Sequence, residues 1–246
     1  MLVTSSKQLQ ILRDNGKIHQ EVFDVVRQNF LNPGNTGMEI ERAATEILRK
    51  YQSQSAFRWA YSYPANTIVS LNETVVHGVP TDQPFEEGDV VTIDFGVKRE
   101  KLLTDAAFTV IIWKPKDPDH QRMIDVSREA LALGIAQAIT GNTTWDVGSA
   151  IWEHVTGAGF HIVKELTWHG LGTSIHEKPN VYNYGQPGRW SVFGDGQYVA
   201  IEPIVGLTTW EIYEAENFAI KMKDHNIGVQ EEHCGVITKE GFEIIV

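Results

Sequence analysis

The sequence predicts an α+β fold of two similar halves, with a curved antiparallel sheet inside and four helices outside. Three observations carry that expectation. An order of helix, helix, strands occupies the first half of the chain and recurs in the second. Two β-branched and aromatic runs, residues 90–96 and 102–110, flank the charged tip Lys98-Arg99-Glu100-Lys101 and read as an antiparallel hairpin. No linker, low-complexity tract or charge run divides the halves, so residues 1–246 read as one domain.

Taken in order, Leu9, Leu12, Val22, Phe23, Val26 and Phe30 recur at helical intervals and predict a first helix over residues 6–30, with Gly16 its weak point. Asn32-Pro33-Gly34-Asn35 stops it. Thr36 with Glu39 three residues later is a capping-box pattern for a second helix reaching about Gln52. Extended segments follow at 66–71 and 74–77, then the hairpin, whose second strand runs to about Trp113. Asp117 and Pro118 predict the start of a helix ended by Gly141, and a shorter helix spans Thr144 to about Thr156. Strands are expected near 160–167, 197–206, 208–213, 216–222 and 228–238.

Composition removes several function classes. The net charge of −11, with no basic cluster, argues against nucleic acid or an anionic membrane as partner. A single cysteine, Cys234, excludes an internal disulfide and a cysteine-rich zinc site. No apolar run of membrane-spanning length exists and the first residues lack a signal-peptide pattern, so the expected location is the cytoplasm.

The hairpin carries chemistry. A symmetric turn at residues 99 and 100 would set Asp94 opposite Asp105, Thr92 opposite Ala107 and Gly96 opposite Leu103. Both carboxylates then leave one face, while Val91, Ile93, Phe95, Ala106 and Phe108 enter a core on the other. Adjacent like charges on a sheet are unfavourable unless a cation lies between them. Glu202, in the apolar run Val199-Ala200-Ile201-Glu202-Pro203, is equally costly to bury unless paired or metal-bound. His169 and His176 are seven residues apart, and either alone would more often be structural; His77 ends a strand, where the structural and functional readings weigh equally. In Gln230-Glu231-Glu232-His233-Cys234, alternation puts Glu231 and Glu232 on opposite faces without saying which faces the site. Asp94, Asp105, His169, Glu202 and one of these glutamates supply four carboxylates and an imidazole. That donor set balances two divalent cations and suits manganese, iron, cobalt or zinc. The implied chemistry is hydrolysis by a water held between the two ions.

With these motifs in place the chain resembles the type I methionine aminopeptidases of the pita-bread fold. The likeness spans nearly the whole chain, through residues 72–80, 88–94, 105–109, His169-Gly170-Leu171-Gly172, His176-Glu177-Lys178-Pro179, Ile201-Glu202-Pro203 and Gln230-Glu231-Glu232-His233. The resemblance implies that Asp94, Asp105, His169, Glu202 and Glu232 are metal ligands. Glu202 would also shuttle a proton, Glu232 would bridge the metals, and His77 and His176 would contact substrate. It implies removal of the initiator methionine from a peptide or nascent-protein N-terminus by a monomer, and leaves metal identity and transient ribosome association open.

Departures from the family pattern fall at the rim. Trp168 stands where the family more often has Gly, Thr104 replaces the usual Gly before the second Asp, and Ala60 replaces a pocket aromatic. Phe57, Tyr63, Ile68, Ile175 and Phe218 are the expected pocket lining. The competing readings are a Xaa-Pro peptidase, disfavoured because the chain lacks the large N-terminal domain common in those enzymes, and a non-catalytic pita-bread binding protein, disfavoured because all five ligands are present.

Overall fold

Side-chain caps set the four helices found among the described residues. In the computed structural model, which describes every residue except 59 and 61, Ser5 accepts from the Gln8 amide at the start of α1 (Ser6–Asn29). Thr36 and Glu39 form the expected capping box of α2 (Gly37–Lys50). Asp117 caps α3 (Pro118–Gln137), and Thr143 with Asp146 makes a second capping box at α4 (Thr144–Gly157). α3 ends before the expected Thr140 because the Ala138 backbone leaves the helix and the Thr140 amide bonds to Thr238 instead. Gly16 proves to be a close-approach site. A Cβ there would lie 2.4 Å from the Ile245 carbonyl oxygen.

The first-half strands are β1 (Gln54–Ser55), β2 (Thr67–Leu71), β3 (Thr74–Val76), β4 (Val90–Arg99) and β5 (Leu102–Ile111). The second half holds β6 (His161–Ile162), β7 (Thr167–Gly170), β8 (Glu177–Tyr182), β9 (Gln197–Ile201), β10 (Ile204–Gly206), β11 (Ile212–Glu214), β12 (Ile220–Met222), β13 (Gly228–Gln230), β14 (His233–Ile237) and β15 (Phe242–Ile244). β4 pairs with β5 along its length on one side and with β2 and β1 on the other. A second sheet runs β15-β14-β9-β7-β8, and an Ala107–Glu232 bridge connects it to the hairpin. One apolar core packs α1 and α2 on the outer face of β2, β4 and β5; another packs α3 and α4 on the second half. β1, β8 and β15 have no counterpart in the sequence expectation: β1 is two residues long, and β8 contains Pro179.

The hairpin register differs from the expectation by two residues. Asp94 pairs with Ala107, Gly96 with Asp105 and Thr92 with Thr109. The turn is centred on Glu100 (φ 49°) and Lys101 (φ 69°), both left-handed, a two-residue turn that normally advertises itself with Gly or Asn. A shift of two preserves the face, so Asp94 and Asp105 still leave the same side as diagonal neighbours.

Strand breaks mark the other carboxylates. The expected strands 197–206 and 228–238 are each interrupted, between β9 and β10 and between β13 and β14. Ile201 pairs with His233 and Ile204 with Gln230, one continuous register that sets Glu202 opposite Glu232. Pro203 has no N–H to give the ladder, so that level keeps only the long bond from the Glu231 amide to the Pro203 carbonyl at 3.4 Å. The first half thus contributes two carboxylates from one hairpin, and the second half two from one interrupted strand pair.

Candidate active site

Those four carboxylates meet His169 at the floor of a cavity of about 610 Å³. Asp94, Asp105, Glu202 and Glu232 are all at least nine-tenths buried. Among the described residues no lysine or arginine pairs with any of them. Oxygens of Asp94, Asp105 and Glu232 are sealed from solvent with no hydrogen-bond partner among the described residues, an arrangement that is unfavourable unless a ligand completes it.

His169 has a defined orientation. Its Nδ1 lies 3.0 Å from the Gly170 carbonyl oxygen, so Nδ1–H donates there and Nε2 presents a lone pair to the carboxylates. Nε2 is 3.8 Å from Asp105 Oδ2 and 3.6 Å from Glu202 Oε1, beyond direct hydrogen bonding. Two donors each about 2.0–2.2 Å from a shared cation have about that separation. Ligand atoms of Asp105, His169 and Glu232 all lie within 4.8 Å of one another. The residues present fit divalent metal.

Electrostatics agree with the geometry. Burial, then the charges of Asp94 and Glu202, holds the Asp105 carboxyl well above its ordinary range. Burial raises Asp94; burial with Asp94 raises Glu202; and burial with Asp105, Glu202 and Asp94 raises Glu232. Burial pushes His169 down to about 3 and His77 down to about 4, and lowers His176 as well. The imidazoles are therefore neutral, and the carboxyls resist ionising together unless a cation lies among them.

The remaining expected residues surround this floor. The His176 ring stands edge-on to His169, centroids 4.4 Å apart. His77 lines the cavity from the end of β3 in a left-handed conformation (φ 59°), next to Gly78, where a Cβ would lie 2.4 Å from the Val69 carbonyl oxygen. Phe57, Tyr63, Ile68, Ile175 and Phe218 form an apolar wall, with Ala60 among them. Tyr63 donates to the Gly78 carbonyl at 2.8 Å and packs edge-on against Phe218. Trp168, fully buried, points away from the cavity and packs against Phe193. Thr104 Oγ1 bonds to His19 Nδ1 on the outer face.

Sequence reasoning passed over Gln230 and Asn180. Gln230 Nε2 lies 3.1 Å from Glu202 Oε2 and 3.5 Å from Glu232 Oε2, so one amide orients two carboxylates. Its position two residues before Glu232, hence on the same strand face, was the available signal. Glu231 faces outward, where its Oε1 accepts from Arg128 Nε at 3.1 Å and from the Thr109 amide at 3.1 Å.

Comparison with known proteins agrees with this geometry. Residues 10–239 match the model of metallopeptidase family M24. The chain is 30% identical over 244 residues to a methionine aminopeptidase from Mycoplasma capricolum, covering 99% of this chain and 97% of that one. The crystal structure of methionine aminopeptidase from Thermotoga maritima superposes with a TM-score of 0.95 at 32% identity, covering 100% of this chain and 99% of that chain. A prolidase from Pyrococcus horikoshii shares the fold, with a TM-score of 0.78 at 21% identity, over 99% of this chain and 63% of its own. The architecture is the pita-bread fold.

Proposed function

This chain belongs to metallopeptidase family M24, and from that premise we propose that it is an aminopeptidase that removes the N-terminal methionine of peptides and nascent proteins. The observation that carries the reading is the convergence of four uncompensated buried carboxylates and a neutral, lone-pair-forward histidine beneath an apolar pocket. Asp94, Asp105, His169, Glu202 and Glu232 hold two divalent cations drawn from cobalt, manganese, iron and zinc. When bound, such ions supply a water acidic near neutral pH and polarise the carbonyl under attack.

The chain's own residues do the rest. Phe57, Tyr63, Ile68, Ile175 and Phe218 take the methionine side chain by apolar burial. His176, neutral and against His169, donates an imidazole N–H to the substrate carbonyl oxygen as charge develops on it. Glu202, held by Gln230 through Oε2, moves a proton from the attacking water toward the leaving amine. His77 contacts the substrate from the opposite wall. Residues 1–246 act as one catalytic domain, because each half contributes only two of the carboxylates. All five candidate ligands come from one chain, which suits a monomer. No helix among the described residues is long and apolar enough to cross a membrane.

The test is to load purified protein with each candidate metal in turn and assay Met-Ala-Ser, Leu-Ala-Ser and Ala-Pro peptides. Release of methionine from the first, with little turnover of the others, is the expected result. Preference for Ala-Pro would favour the Xaa-Pro reading, and no turnover with any metal would reject the enzyme.

A further inference from the structure

The cleft does not end at its polar floor. His169 pairs with Asn180 and Thr167 with Tyr182 across β7 and β8. Directly paired residues share a face, and His169, Asn180 and Thr167 all line the cavity. Tyr182 therefore lies on that same face, beside the lining residue Thr167. From Tyr182 a path of rings leads outward. The Tyr184 centroid is 5.1 Å away, Trp152 stands edge-on 5.9 Å beyond it, and Lys164 Nζ lies 5.6 Å from Trp152 and 4.9 Å from Trp210. All five side chains are half-buried, so each keeps part of its surface open to solvent.

The path is rigidly seated. A Cβ on Gly148 would lie 2.4 Å from the Tyr182 carbonyl oxygen and 2.8 Å from that of Tyr184, so only glycine lets the 182–184 backbone lie on α4. Trp152, four residues further along the same helix face, then meets Tyr184. Between the two tyrosines, the buried Asn183 donates from Nδ2 to the Glu202 carbonyl oxygen at 2.8 Å. The ring-bearing segment is thereby tied to the backbone of a residue at the catalytic floor.

We propose that Tyr182, Tyr184 and Trp152 form an extended subsite for the substrate chain beyond the cleaved bond, with Lys164 and Trp210 continuing it. The proposal rests on the aminopeptidase reading and adds where the rest of the substrate goes. The occupant follows from continuity. A polypeptide whose first residue fills the pocket must leave over the rim, and the β7–β8 side offers partly exposed aromatic rings that begin beside the cavity-lining Thr167. Such faces bind apolar groups, peptide planes and guanidinium groups alike, which suits a catalyst that meets many sequences after the first residues.

The experiment compares kcat/KM for Met-Ala-Ser and for a ten-residue peptide beginning Met-Ala-Ser, on metal-loaded enzyme. The long substrate should gain about two- to tenfold for each ring engaged, mainly through KM. Tyr182→Ala with Tyr184→Ala should bring the ratio near one and leave Met-Ala-Ser kinetics unchanged. Trp152→Leu, which keeps that helix face apolar, should lower the ratio in part. A ratio of one in the parent enzyme, a ratio that survives the double substitution, or an equal loss on both peptides would each overturn the subsite. Failure of the parent to cleave either peptide would instead overturn the aminopeptidase reading.

Discussion

Glu41, on the buried face of α2, and Glu232, in the cleft, are both almost fully buried, at 8% and 2% exposure, yet their surroundings differ in kind. Glu41 accepts from the Asn66 and Thr67 amides, Asn66 Nδ2 and Thr67 Oγ1, all within 3.1 Å. Glu232 has one oxygen near Gln230 at 3.5 Å and another with no partner among the described residues. The same residue type is structural where the protein supplies donors, and reserved for a ligand where it withholds them. Glu231 repeats the first solution one residue away, through Arg128 and Thr109.

The largest effect should come from removing a reserved carboxylate. Asp105→Asn is expected to abolish hydrolysis and weaken metal binding by more than the roughly 10–100-fold that loss of an outer-shell partner causes, with the fold intact. Metal content and turnover on one preparation check this; full activity after metal repletion would dissolve the distinction. Adjacent glutamates sharpen it further. Glu232→Gln should be inactive, whereas Glu231→Gln should keep most activity and lose about 1–2 kcal/mol of stability with its charged hydrogen bonds. The reverse pattern would mean that the outward face had been mistaken for the cleft.

A group inside the cleft that holds no metal should behave differently again. His176→Ala is expected to lower kcat by roughly 10²–10³, the size of a lost oxyanion donor, with unchanged metal content. If metal is lost too, His176 is a ligand; if kcat holds, the donor role fails. On the donor-supplied side, Glu41→Gln should cost roughly 2–4 kcal/mol, because buried amides lose their acceptor, while bound metal and kcat stay constant. A denaturant titration with metal analysis would expose any coupling between the two regions.

The last effect concerns pH. His19, wholly buried beside Phe23 and Phe95, has its pKa pushed down to about 3, first by burial and then by His233 and Arg27. In the unfolded chain it titrates near 6.5, so below that pH the unfolded state binds a proton that the native state refuses. Its contribution is complete above about pH 6.5 and is lost as pH falls toward 3, at up to about 1.4 kcal/mol per pH unit. Metal-free protein melted between pH 7 and 5 should show a smaller decline in His19→Gln than in the parent. Parallel curves would remove His19 from the account.

Much of this was legible along the chain. Ser5, Thr36, Asp117 and Thr143 begin helices through hydrogen bonds reaching two or three residues, so local sequence contains the whole interaction. Asp94 and Asp105 could be placed on one face despite a misjudged turn, because side-chain alternation survives a slip of two. The motif residues themselves, from His77 to Glu232, could be chosen by chemistry and by family likeness. Tertiary structure alone decided the rest. It gave Glu231 its partners Arg128 and Thr109, set Glu202 opposite Glu232 where Pro203 interrupts the ladder, and placed the Gln230 amide between them. It also paired Tyr182 with the cavity-lining Thr167 and brought the Tyr184 ring between Tyr182 and Trp152. Each of these depends on contacts between residues far apart in the chain. Local propensity determines which residues form an element; only the packing of one element on another determines which face looks into the cleft and which oxygen is left without a partner.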